Sequence, residues 1–431
     1  MLQPRRRQQL ASIHDRCRAL KFMNTKPGLL SFDDALAAIL AQAKPALPTE
    51  TVSCFDAAGR VLASELRATL NVPPMDNSQM DGYAVRVADL AGGSALRVSQ
   101  RIAAGQVGTT LEPGTVARIF TGALIPAGAD AVVMQEMAQA QGDVVVITHR
   151  PKTGEWIRRI GEDIARDSVI LPAGTRLTPP ALGLAASVGL GSVTVHRRPR
   201  VACFSTGDEL AMPGETLRPG AIYNSNRYVL VTLIRQLGCD VTDLGIVPDS
   251  LPATEAALRA AARDHDLIVT CGGMSVGEED HVKPAVQAQG ELSLWSIAIK
   301  PGKPLAYGKV RRDNGNPDPA HFIGLPGNPV SALVTFLMFA RPFLQRLQGA
   351  TDVTPKRITL RSDFAWPKPD RRREFLRARI NSDGGLDLYP NQGSAVLTSM
   401  AWADGLVDNP AGQAIAPADK VQFLLLSELL A

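Results

Sequence analysis

Apolar and polar positions change their rhythm several times along this chain, and each rhythm predicts a different kind of element. From Ser31 to Ala43 the spacing is helical: Ser31 can cap, and Ala35, Ile39 and Leu40 fall near one face. A second short helix is expected around Ala57 to Leu62. Between about 71 and 153 the texture turns to short β-like runs, among them Ala84 to Val87, Leu96 to Val98, Thr115 to Phe120, Ala131 to Met134 and Val144 to Thr148. Pro-Gly, Pro-Ala-Gly and Gly-Asp steps punctuate them, which predicts a small all-β module. Residues 154–198 return to helix and loop, with Thr178-Pro179-Pro180 as a helix start.

Residues 199–348 alternate strand and helix. Strands are expected at Arg200 to Phe204, Asp240 to Val247, Asp266 to Cys271, Leu294 to Ile299 and Phe322 to Leu325, and helices at Asn224 to Leu237 and Thr254 to Arg263. A long helix opens at Asn328-Pro329, with Asn as N-cap and Pro in the first turn. Such alternation implies a doubly wound α/β domain. From 351 onward β-like runs return at Arg357 to Leu360, Phe375 to Ile380 and Val421 to Leu425, as in a small barrel or sandwich. The fold class expected is therefore multidomain α/β. Its parts are an extension (1–27), a discontinuous helical and loop domain (28–72 and 154–198), an all-β insert (73–153), a central α/β domain (199–350) and a C-terminal β-barrel-like domain (351–431).

Composition adds exclusions. With 431 residues, 45% hydrophobic and 20% charged, the chain has the balance of a multidomain globular protein. A net charge of +4 is too small to imply a nucleic-acid or membrane partner. The basic start (Arg5, Arg6, Arg7, Arg16, Arg18, Lys21) reads as a solvated tail, with an organelle presequence as the competing reading. No segment looks transmembrane: the long uncharged run Leu177 to Val195, for one, carries two Pro and three Gly. Five scattered cysteines without a CxxC argue against a disulfide framework or a zinc site, and a reduced, cytoplasmic protein is expected.

In an open α/β sheet, ligands bind beyond the carboxyl ends of the strands. The loops expected there carry Ser205-Thr206-Gly207-Asp208-Glu209, Pro248-Asp249, Gly272-Gly273-Met274-Ser275 through Asp280, Lys300-Pro301-Gly302-Lys303-Pro304, and Pro326-Gly327-Asn328-Pro329-Val330-Ser331. Glycines let backbone N–H groups approach an anion, and Lys300 and Lys303 add full charges. Asp208, Glu209, Asp249 and Asp280 supply hard oxygen ligands, so the set suits a phosphate or oxyanion held with Mg²⁺. Gly273-Met274-Ser275-Val276-Gly277 also fits the hydrolase nucleophile elbow, but three acids follow at once and would disfavour an oxyanion. Gly189-Leu190-Gly191 lacks the third glycine of a dinucleotide fingerprint, and no P-loop motif occurs.

Read in order, several segments resemble the molybdopterin molybdenumtransferase (MoeA-type) family. They are Asp76 to Val85 (DNSQMDGYAV), Thr121-Gly122-Ala123, Arg159-Ile160-Gly161-Glu162-Asp163, Ser205 to Leu210, Gly272 to Gly277, Lys300 to Pro304 and Gly324 to Ser331. The resemblance implies insertion of molybdate into adenylylated molybdopterin, with Mg²⁺ and release of AMP. It also implies an elongated homodimer whose active site is shared between subunits, and other proteins of molybdenum cofactor synthesis as partners. Carried over residue by residue, it assigns Asp81, Glu209, Asp249, Asp280, Lys300 and Lys303 to catalysis, with Glu209, Asp249 and Asp280 as metal ligands. Thr121, Asp163, Ser205, Thr206, Gly207, Gly272, Gly273, Ser275, Ser331, Arg377 and Ser394 would bind pterin, phosphate or molybdate, with Asp81, Thr121 and Asp163 coming from the partner subunit. Within the run Arg371 to Arg373, a solvated charge cluster is the competing reading.

Overall fold

The computed structural model describes residues 29–43, 47–90, 95–273 and 281–430. The described residues divide into two compact units, one drawn from residues 29–43, 199–346 and 353–430, the other from residues 47–198 and 347–352.

In the second unit, alternation sorts side chains onto two faces of a six-stranded sheet. Tyr83, Val85, Val116, Ala131 and Val133 join one core; Ala84, Ala117, Ile119 and Val132 join the other. The strand order is Ala131–Met134, Gly82–Val85, Thr115–Ile119, Ala95–Ile102, Val144–Ile147, Ala138–Gln141, and all neighbours are antiparallel except Ala95–Ile102 beside Thr115–Ile119. Thr49–Ser53 pairs with Ser192–His196, and Leu66–Arg67 with Val169–Leu171, so the segments flanking the β insert pair with each other. The helix expected at 57–62 does not form. Gly59 sits at φ +76° and donates to the Leu177 carbonyl at 2.8 Å, while Leu62 donates to Thr175, so this backbone pairs across the chain. The helix Pro179–Ser187 starts where expected, with Thr178 accepting from the Ala181 N–H.

In the first unit, a six-stranded sheet runs in the order Asp240–Val247, Arg200–Thr206, Leu267–Cys271, Ala320–Leu325, Pro304–Val310, Gly290–Ser296. The first four strands are parallel and Pro304–Val310 is antiparallel to both its neighbours. The sheet is therefore mixed rather than wholly parallel, and Pro304–Val310 is a strand that the apolar pattern did not single out. Ala202, Phe204, Leu258, Ile268, Val286 and Phe322 form part of its core. Ser250 caps the helix Leu251–Asp264, and Asn224 caps Ser225–Gln236 by accepting from Arg227 N–H. Residues 329–347 form one continuous helical run with a π turn at Phe336–Ala340. This run, Pro329–Leu347, is long and apolar enough to cross a membrane by composition, but it is 94% buried in the fold.

The second sheet of this unit runs Ile299–Lys300, Arg373–Ile380, Gly405–Asn409, Lys420–Leu425, Ile358–Arg361, with Leu386–Leu388 beside Arg373–Ile380. A bridge from Ser362 to Leu386 joins its far edge back to that last strand and closes a small barrel. Ile299–Lys300 pairs in parallel with Arg373–Glu374, tying the loop after the α/β sheet's edge strand to the barrel. The helix Phe32–Leu40, capped by Ser31, packs Phe32 against Phe339 and Phe375 at ring distances of 5.3 and 5.7 Å.

Candidate functional site

A cavity of about 610 Å³ opens at the carboxyl edge of the α/β sheet. Thr206, Gly207 and Glu209 line it from the loop after one strand, Asp249 from the next, Gly272 and Gly273 from the third, and Asn328 and Ser331 from the last. Lys300 through Pro304 form another wall, and the barrel closes it with Arg372, Gln392, Gly393 and Ser394. A second groove of about 600 Å³ shares Thr206, Glu209, Gly272, Gly327 and Asn328, and extends to Ser205, Asn224, Asn226 and Cys271. Two buried polar atoms on these walls, Thr206 Oγ1 and Asn224 Nδ2, have no hydrogen-bond partner among the described residues. Ser275 and Asp280 lie outside the described residues.

Backbone closeness explains the glycines. At Gly272, φ is +93° and a Cβ would come within 2.7 Å of the Thr206 carbonyl oxygen. At Gly207 a Cβ would meet the Glu209 carboxylate at 2.6 Å. A side chain at Gly272 would push backbone walls apart, whereas one at Gly207 would displace the Glu209 carboxylate from its place.

The cationic wall is held by buried acid. Lys300 Nζ lies 3.2 Å from Glu374 Oε1 and 3.5 Å from Asp370 Oδ2. Glu374 is fully buried, and its other oxygen accepts from Trp366 Nε1 at 2.8 Å, Asp370 N at 3.1 Å and Asn409 Nδ2 at 3.4 Å. Arg372 makes a two-pronged pair with Asp370, Nε to Oδ1 and Nη2 to Oδ2, both 2.9 Å. The Arg372 hydrogen bond holds the Asp370 carboxyl well below its usual range, against a smaller opposing effect of burial. Lys303 is exposed on the same loop and has no ion pair among the described residues.

Ser394 meets the helix start. Asn328 occupies the N-cap position of Pro329–Thr335, but its side chain makes no cap; its Nδ2 donates to Ser394 Oγ at 3.1 Å, and Val330 N–H donates to the Ser394 carbonyl at 2.9 Å. Ser331 follows on the first turn and also lines the cavity.

Arg377, expected to reach the anion, does not line the cavity. It is 1% exposed and donates to Ser399 Oγ, the Phe375 carbonyl and the Gly393 carbonyl at 3.1, 3.2 and 3.2 Å. Burial pushes its guanidinium down to about 10. The barrel arginine on the cavity wall is Arg372, from the run read as a possible charge cluster.

In the other unit, Asp81 Oδ1 accepts from Thr121 N–H at 2.8 Å and from Thr121 Oγ1 at 2.7 Å. The Thr121 backbone bond, then its hydroxyl, hold the Asp81 carboxyl below its ordinary value. Asp163 sits in the exposed loop after Arg159, and that loop is anchored on Asp76: Arg159 Nη1 lies 2.6 Å from Asp76 Oδ2, and Ile160 N–H donates to Oδ1 at 2.8 Å. The structure thus joins Asp81 to Thr121 and leaves Asp163 without a hydrogen bond to either among the described residues.

Metal fit rests on the donor set. Among the described residues no group of three or more His, Cys, Asp or Glu comes together. Glu209 and Asp249 do line one cavity, and a pair of carboxylates completed by substrate phosphate is a usual setting for Mg²⁺.

Three family descriptions match consecutive parts of the chain: "MoeA N-terminal region (domain I and II)" over residues 30–189, "Probable molybdopterin binding domain" over 202–346, and "MoeA C-terminal region (domain IV)" over 359–426. The molybdopterin molybdenumtransferase of Haemophilus influenzae is 43% identical over 323 residues, 74% of this chain and 78% of that one. That of a Nostoc species is 36% identical over 389 residues, 88% of each. A crystal structure of the molybdopterin biosynthesis moeA protein of Pyrococcus horikoshii superposes with a TM-score of 0.80 at 26% identity, covering 92% of this chain and 100% of that one.

Proposed function

We infer the reaction of this chain from the premise that it belongs to the MoeA family of molybdopterin molybdenumtransferases: it carries out the molybdenum-insertion step of cofactor biosynthesis. The finer reading is that the substrates are adenylylated molybdopterin and molybdate, and that AMP is released. One observation carries it: Lys300, Lys303, Arg372, Ser331 and Ser394 line the same cavity as the carboxylates Glu209 and Asp249.

The chemistry sets two tasks for these residues. A dianionic oxyanion must approach a pterin that already bears a phosphoanhydride, and at about 4 Å such repulsion reaches several kcal/mol in a partly dry cleft. Lys300, Lys303 and Arg372 offset it, while the Ser331 and Ser394 hydroxyls donate to oxyanion oxygens. Water then attacks the adenylyl phosphorus. The anhydride P–O bond breaks, AMP leaves, and the molybdopterin phosphate is freed with a proton. Two dithiolene sulfurs bind molybdenum as one oxo group departs with two protons as water. Mg²⁺ held by Glu209 and Asp249 would supply charge neutralisation at the anhydride. Thr206 Oγ1 and Asn224 Nδ2, both buried and without a hydrogen-bond partner among the described residues, are suited to take pterin or phosphate atoms in the adjoining groove.

The same reading makes the enzyme a homodimer in which Asp81, Thr121 and Asp163 of one subunit complete the site of the other. Asp81, held ionised by Thr121, suits a proton-accepting or donor-orienting role.

The test follows AMP release from purified protein with adenylylated molybdopterin, Mg²⁺ and molybdate. Molybdate-dependent release, lost in Lys300→Ala and Asp249→Ala, is expected. Tight pterin binding without AMP release would overturn the insertion chemistry. Sharing is tested separately: dimers mixed from Asp81→Ala and Lys300→Ala chains regain part of the activity if sites are shared, and none if each subunit is self-sufficient.

A further inference from the structure

Arg101 and Arg118 lie directly opposite each other on neighbouring parallel strands of the β insert. Like charges in that register repel unless something compensates. Both guanidinium carbons sit 4.6 Å from the Phe120 ring centroid, and Arg118 also lies 5.2 Å from the Tyr83 ring, its cross-strand neighbour on the other side. Aromatic faces thus hold both cations in place. Arg118 is further fixed by donating to the Gly82 carbonyl at 2.9 Å and to Gln135 Oε1 at 2.6 Å. Neither arginine has an ion pair among the described residues, and Arg101 is exposed with no side-chain hydrogen bond there. Arg118 donates to the carbonyl of Gly82, the residue after Asp81, and Asp81 is bound to Thr121, which follows Phe120 directly. The pair therefore stands beside the acid that this unit contributes to the reaction.

We propose that Arg101 and Arg118, mounted on Phe120, form a binding site for an anionic phosphate ester or phosphoanhydride, which in the reaction read above is the phosphate-bearing part of the adenylylated pterin. Arg118 is the fixed donor, with N–H groups left over after its two protein bonds. Arg101 is the adjustable one, since stacking alone holds it. Asp81 Oδ2 receives no protein hydrogen bond among the described residues, because Thr121 uses Oδ1 for both of its bonds, so it is open to a ring N–H or hydroxyl of the same ligand. The proposal rests on the transferase reading for the identity of the ligand but not for the existence of the site.

The experiment is arginine footprinting with phenylglyoxal on the full-length protein, read by mass spectrometry. In free protein Arg101 should label readily. Saturating adenylylated molybdopterin should slow its labelling several-fold, with Arg372 as an internal report of occupancy, and inorganic phosphate at equal concentration should protect less. Kinetically, Arg101→Gln should raise KM for the pterin at least fivefold with kcat within twofold, Arg101→Glu should raise it further, and Arg101→Lys should recover part. Unchanged Arg101 labelling while Arg372 is protected, or unchanged KM in Arg101→Glu, would overturn the site and leave the transferase standing. Should wild-type protein fail to turn over, the transferase reading falls, and inorganic pyrophosphate becomes the probe: protection of Arg101 keeps the site, and its absence removes it.

Discussion

Arg377 Nη2 reaches the carbonyl oxygen of Gly393 at 3.2 Å from a position that is 1% exposed, beneath the loop that brings Gly393 and Ser394 to the cavity wall. The Arg377 backbone is tied to that loop as well: its N–H donates to Gln392 Oε1 at 2.9 Å and its carbonyl accepts from Gln392 Nε2 at 3.0 Å. The guanidinium is a strut, and the barrel arginine that lines the cavity is Arg372.

The two arginines should therefore separate in experiment. Arg372→Ala is expected to weaken molybdate binding at least about tenfold, or about 1.4 kcal/mol, with little change in Tm. Arg377→Met leaves Ser399 Oγ and two carbonyls without their buried donor and should cost about 2–4 kcal/mol of stability. Calorimetric molybdate binding and thermal melts on both variants check this. Equal Tm losses would contradict the division of roles.

Glu374 concentrates several partners on one buried carboxylate, Lys300 among them. Removing it strands Trp366 Nε1 and the Asp370 N–H and leaves Lys300 its longer ion pair to Asp370 and the Trp366 ring. Glu374→Ala is expected to lose about 3–5 kcal/mol, within the range for one partner taken from a buried ionic network. Glu374→Gln, which can keep several of the hydrogen bonds, should lose less. Urea unfolding of the two variants gives the comparison.

Asp370 carries a pH signature. Its folded carboxyl titrates below the ordinary 3.8 because Arg372 binds the charged form. Stabilisation from a depressed carboxylate is complete above the unfolded value and fades as pH falls through the folded one. The stability gap between wild type and Asp370→Asn should thus be constant from about pH 5 to about pH 8 and narrow only below the unfolded value. Being partly exposed, the pair should contribute no more than about 1 kcal/mol. A gap that changes near neutrality would point to another group.

These residues also show what could be read from the chain alone. The sheet-edge loops were legible because apolar runs end abruptly in Gly-rich segments bearing Lys, Asp and Ser, and strand ends place such segments together. The arginines of the barrel were not. Arg371, Arg372 and Arg373 form an unbroken charged run, so no alternation says which one turns inward; the turn closed by Asp370 and Arg372 and the register of Arg373 against Ile299 decide it. Arg377 matched a motif but stands on the strand face opposite Leu376 and Ala378, which fill the barrel, and is buried against Gly393 and Ser399. Asn328 had the composition of a cap, yet Ser394, distant in sequence, takes its side chain. The helix expected after Ala57 lost to long-range pairing with residues 175–177, which a local propensity does not register. Pro304–Val310 went unseen because Gly302 and Pro304 mark a loop whereas the strand that follows alternates only weakly.

Gly302 couples the lysine loop to the helix behind it. Its φ is +98°, and a Cβ there would meet Thr335 Oγ1 at 2.5 Å and the Ser331 carbonyl at 3.3 Å. Gly302→Ala should move Lys303 and Ser331 apart and weaken molybdate binding about tenfold, since backbone strain and contact each cost on the order of 1 kcal/mol. The two contributions can be told apart. Thr335→Ala removes the closest contact but leaves φ where an L-residue is strained, so the double variant should recover only part of the lost affinity. Full recovery would make the contact the whole effect, and no recovery would make it the backbone.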